Sequence, residues 1–86
     1  MAARLWAVMP RYYFHLYNDI NVRDEEGMVL PDVSLAVAEA IRSVRSLASA
    51  EIVQGRLRLS DRIEIADESG TIVSAVAFRD AITIED

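Results

Sequence analysis

Cysteine and lysine are both absent from this chain. Without thiols there is no disulfide and no thiolate metal site, a pattern that suits a reducing compartment. All nine basic residues are arginine, as a GC-rich genome produces without selection for guanidinium chemistry. There is one histidine, His15, whereas a zinc site takes three or four His, Cys or carboxylate ligands. Gly27, Gly55 and Gly70 stand far apart, so no phosphate-cradling loop exists. None of the serines lies in a G-x-S-x-G elbow. Long apolar runs are missing too. Glu39, Arg42 and Arg45 interrupt the best candidate for a span of about 18 residues. The opening stretch Met1–Met9 is too short for a signal-peptide core and is not followed by an A-x-A site. These absences lead us to expect a cytoplasmic protein with no membrane partner, no cofactor and no metal.

What is present describes a small globule. The chain has 86 residues, 52% apolar and 27% charged, enough for one folded domain with a thin core. A net charge of −5 and a pI near 4.7 disfavour nonspecific attraction to nucleic acid or anionic membranes. Residues 1–9 read as an N-terminal appendage to a single domain over residues 10–86.

Arg11–Tyr17 is aromatic and aliphatic, and so favours a strand. Alternation puts Tyr12, Phe14 and Leu16 on one face and Tyr13, His15 and Tyr17 on the other. Asn18-Asp19 suits a hairpin turn back into Ile20–Arg23, and Asp24–Gly27 is a second turn. Met28–Leu30 then runs extended into Pro31. Asp32 is placed to cap a helix over residues 33–54, and Gly55 to end it. The apolar stripe of that helix is Val33, Val37, Ala40, Ile41, Val44, Leu47, Ala48 and Ile52. Arg62–Ala66 alternates as a half-buried strand, Asp67–Gly70 reverses it, and Thr71–Phe78 pairs back. Ile82–Thr83–Ile84 is a candidate last strand. Apolar on both faces, the Thr71–Phe78 segment turns Val73, Ala75 and Ala77 away from Ile72, Val76 and Phe78.

The segments Met9–Leu16, Asp24-Glu25-Glu26-Gly27 and Leu30-Pro31-Asp32 precede an Ala-rich helix. Gly55–Ser60 and Arg62–Gly70 follow it. In this combination the chain resembles, over residues 9–85, a family of short alphaproteobacterial proteins built on a domain of unknown function. That resemblance implies no activity. Tyr13 and Tyr17 depart slightly from it, standing where another aromatic such as Phe and a polar residue are usual. Over residues 11–48 the turn and cap grammar also resembles that of HicB-type antitoxins, an analogy at the level of fold.

Three constellations carry residue types that a site would use. His15 has the chemistry of a general base, but the sequence supplies neither nucleophile nor pocket beside it, and it reads as a strand residue with one hydrogen bond. Asp19, Asp24, Glu25 and Glu26 fail as a calcium loop, which needs glycine at position six, where Asp24 or Val29 would stand. They read as solvated turns. Tyr13, His15 and Tyr17, with Arg11 nearby, have the composition of a base-stacking platform, but an acidic chain opposes it and disfavours nucleic acid as a partner.

The sequence therefore predicts an α+β fold of ββαββ order. A mostly antiparallel sheet of four or five strands carries the 33–54 helix on one face. The expected core is Phe14, Leu16, Val37, Ile41, Val44, Leu47, Ala48, Ile63, Ile65, Val76 and Phe78. One helix cannot cover both faces of the sheet. The function expected first is thus a non-catalytic interaction module, a homo-oligomer self-associating through an open sheet face or edge. Its expected surface is Tyr13, His15, Tyr17, Val73, Ala75 and Ala77. The alternative is an antitoxin-like or regulatory partner of another protein or nucleic acid, and an enzyme using His15 is the least favoured reading.

Overall fold

The computed structural model describes residues 9–86. Apart from Met9, the expected appendage lies outside them. Strands β1 (Arg11–Tyr17), β2 (Asn21–Val22) and β3 (Met28–Val29) precede helix α1 (Val33–Val53). Strands β4 (Arg62–Ala66) and β5 (Ile72–Ala77) follow it, and the one-turn helix α2 (Phe78–Ala81) closes the series. The fold is α+β, with every strand pairing antiparallel. The main order is β2-β1-β4-β5, and β3 pairs with β1 beyond the end of β2. Ile82–Ile84 forms no strand. Arg79 donates its amide to Leu59 O instead, and the chain coils into α2 as it leaves β5.

Helix α1 starts where the sequence indicates. The Asp32 carboxylate accepts the Leu35 amide at 2.9 Å, and Gln54 is the C-cap just before Gly55. The helix packs on β5 and β4, and not squarely over β1. Its innermost stripe is Ala36, Ala40, Val44 and Ala48, all buried. These small side chains let the helix backbone approach the sheet, where Ile63, Ile65, Val76 and Phe78 fill the floor. This corrects the expected core. Val37, Ile41 and Leu47 flank the contact and are half-buried, as are Phe14 and Leu16, because β1 lies to one side of the helix. Tyr12, Ala36, Ala40 and Ala81 are buried in addition.

The two sheet edges differ. Along the outer edge of β1, Pro10 O accepts the Leu30 amide, and Tyr12 and Leu16 pair with Met28 and Val22. Between β3 and β2 the Asp24 carboxylate takes the place of a strand, with Oδ2 accepting the Phe14 amide at 3.0 Å. That edge is sealed. The outer edge of β5 has no strand partner among the described residues.

Candidate functional site

The face of the sheet opposite α1 is built from three strands. Strand β1 supplies Tyr13, His15 and Tyr17, and β4 supplies Arg62 and Glu64 in register with Tyr17 and His15. Across β4, Ala77 and Ala75 of β5 stand opposite Arg62 and Glu64. The rows are therefore Tyr17–Arg62–Ala77 and His15–Glu64–Ala75. Five of the six residues expected to form the interaction surface, Tyr13, His15, Tyr17, Ala75 and Ala77, share this face, and Val73 falls at an irregularity of β5. Tyr13, His15 and Tyr17 lie two strands away from Val73, Ala75 and Ala77, roughly 10 Å at the usual strand spacing.

The ground between them is polar, which the apolar pattern of β5 alone does not announce. Arg62 donates to Glu64 Oε2 through Nε at 2.9 Å, and its second contact to the same oxygen is 2.8 Å. Its guanidinium also lies over the Tyr17 ring, 4.7 Å from the centroid. One face of Tyr17 is thus already covered, which counts against a row of free rings for stacking bases. Exposed apolar side chains on this face come from β5 and, at the far edge, from Val29 of β3 opposite Arg11. Ile72 and Val73 are 47% and 36% exposed, and Ala75 is exposed as well. A register shift at Ala66 puts both Ile72 and Val73 opposite it, so the expected strict alternation of Ile72 and Val73 gives way to a bulge.

His15 is 8% exposed, and its Nδ1 accepts the Asp24 amide at 3.0 Å. That bond helps tie the loop to β1, and it is the one hydrogen bond that the sequence reading expected of a strand histidine. Asp24 is different from its reading as a solvated turn residue. Its Oδ1 accepts the amides of Glu26 and Gly27, each at 3.1 Å, while Oδ2 accepts that of Phe14. Burial opposes its ionisation, but the amides of Phe14, Gly27 and Glu26, helped by His15, hold the carboxyl below its ordinary value. The signal was present in the sequence as Asp24-x-x-Gly27, a side-chain-capped turn. Its cross-strand partner Phe14 was not.

An open groove of about 350 Å³ runs beside these groups, between Tyr13, His15, Asp24, Asp67 and Glu68. Asp67 is committed to its own turn. Its carboxyl is held below the ordinary value by the Ser69 hydroxyl and by the amides of Thr71, Ser69 and Gly70. Among the described residues no three His, Asp or Glu side chains converge as metal ligands. None of their helices is long and apolar enough to cross a membrane.

The chain belongs to the DUF6894 family, a domain of unknown function. The match covers residues 11–79, from the first residue of β1 into α2. None of the curated proteins and none of the solved structures matches the chain. In this DUF6894 domain the matched span contains the whole of the open face, the Asp24 clip and the free edge of β5.

Proposed function

We propose that this DUF6894 domain is a small non-catalytic interaction module that associates with a second copy of itself through an open face or edge of its sheet. The observation that carries this reading is the exposed apolar strip Ile72-Val73-x-Ala75 on a sheet with helix on one face only. Apolar strand surface of this kind is normally covered in a folded protein. The polar groups of the opposite strand support the same reading. His15 and Asp24 are spent on holding the loop, and Arg62 is spent on Glu64 and Tyr17, so these groups are engaged in structure.

Sedimentation velocity over a hundredfold range of concentration tests it. The expected result is a shift from a 9.6 kDa species toward twice that mass. A single 9.6 kDa species throughout would overturn the proposal.

A further inference from the structure

We infer that two copies of the chain join edge to edge, β5 beside β5, antiparallel about a two-fold axis through Ala75. The inference rests on the self-association proposed above and names its geometry. The Phe78 amide donates to Asp61 O at 2.8 Å, which makes that opposed pair a hydrogen-bonded one. Hydrogen-bonded and non-bonded pairs alternate along an antiparallel ladder. Val76 and Ser74, opposite Ile63 and Ile65, therefore bond inward to β4, and Ala77 and Ala75 send their N–H and C=O groups to the open edge.

Pairing about Ala75 places Ala75 against its own copy and Val73 against Ala77. Ala75 and Ala77 then aim their groups across the gap, and Val73, at the bulge, ends the ladder. Centring on Ser74 would leave Ala77 beyond the partner strand, and centring on Val76 would leave Ile72 to Ser74 unpaired. The paired segment Ile72–Ala77 carries no charge and no proline, so neither repulsion nor a missing donor opposes it. The bulge at Ile72 and Val73 limits the ladder to its central residues and sets a weak, concentration-dependent contact.

Charge at the strand ends favours a second copy over an unrelated strand. Arg79, exposed and in no ion pair among the described residues, leaves the C-terminal end of β5. The antiparallel arrangement brings it toward the Asp67–Gly70 turn that opens β5 of the other copy, where Glu68 is exposed. Asp80 beside Arg79 offsets part of this attraction. The contact occurs twice by symmetry. The axis stands perpendicular to the sheet, so both α1 helices come to the same side and the two open faces become continuous.

The native chain has no cysteine, so single thiols report the register directly. At the two-fold, Ala75→Cys brings equivalent Cα atoms to about 5.5 Å, within disulfide range. The equivalent atoms of Ala77→Cys lie four residues out of register, roughly 14 Å apart and beyond reach. Under mild oxidation Ala75→Cys is expected to give a covalent dimer at least tenfold faster than Ala77→Cys. Ala75→Pro, which removes only an outward N–H, is expected to abolish association while circular dichroism and the urea midpoint stay native. An oligomer that forms normally with Ala75→Pro, or that links equally well from both thiol positions, overturns the edge pairing and leaves self-association standing. A native chain that is monomeric at every concentration overturns both.

Discussion

The amide of Asp24 donates to His15 Nδ1 at 3.0 Å, while the Asp24 carboxylate accepts the amide of His15's neighbour, Phe14, at the same distance. The two bonds run in opposite directions between one loop and one strand. Together they close the gap that β2 and β3 leave along β1, with a side chain doing what a strand backbone does elsewhere on that edge. The sealing of the β1 edge thus follows from where one carboxylate falls, while the outer edge of β5 has no strand partner among the described residues.

Asp24→Asn tests that clip. Its amide group can replace only one acceptor oxygen and turns a donor toward a backbone N–H, so the loss at pH 7 is expected to be about 1–2 kcal/mol. The acid dependence fixes the charge as the cause. The folded carboxyl titrates below its ordinary 3.8, so its stabilisation is complete above that value and fades as pH falls through the folded value. The gap between wild type and Asp24→Asn in urea unfolding should therefore be constant from pH 5 upward and shrink below about pH 4. A gap that is the same at pH 7 and pH 3 would assign the effect to packing instead.

Gly27 is required for two separable reasons. It has φ 68°, and a Cβ there would stand 2.7 Å from the backbone oxygen of Tyr12. Gly55, with φ 90°, meets nothing within 4 Å. Gly55→Ala should lose only the left-handed backbone preference, about 1–2 kcal/mol. Gly27→Ala should lose clearly more, because β3 must move away from β1. Thermal melts of the two variants side by side measure the difference, and equal losses would remove the close approach from the explanation.

The helix–sheet contact was only half legible in the sequence. The periodicity gave the helix, its Asp32 cap and the Val44–Ala48 side of its stripe, and alternation gave the floor at Ile63 and Ile65. Large apolar residues were expected at the centre, because apolar area is what a one-dimensional pattern ranks. Distance ranks differently. Where the backbone comes closest, alanine is the side chain that fits, and Val37, Ile41 and Leu47 are pushed to the flanks. The sharing of one face by Tyr13, His15, Tyr17, Ala75 and Ala77 was readable from period two. The Arg62–Glu64 bridge between them was less so, because it depends on which strand lies in the middle. The Asp24–Phe14 bond joins residues ten apart around a loop, and no local propensity encodes it.

Ala40→Leu checks the close approach. Ala40 is fully buried, and added methylenes there are expected to cost about 1–3 kcal/mol through overpacking. Ala38→Leu, on the exposed side of the same helix, should fall within about 0.5 kcal/mol of wild type. If Ala40→Leu is neutral or stabilising in chemical denaturation, the helix is not held as near the sheet as its alanine stripe indicates.

Tyr17 separates an edge contact from a face contact. Its ring carries Arg62, and Arg62 is held in turn by Glu64, so the group forms a polar mound at the far side of the open face from β5. Exposed contacts of this kind contribute at most about 1 kcal/mol each to stability, so Tyr17→Ser should leave the fold intact. Two open faces stacked on each other would bury the mound in the contact, and the variant would then weaken association at least tenfold. Two β5 edges side by side leave it in solvent, and the dimerisation constant should stay within about twofold. Sedimentation of Tyr17→Ser beside wild type reads the answer. The edge arrangement predicts no change, because nothing that Tyr17 touches belongs to β5.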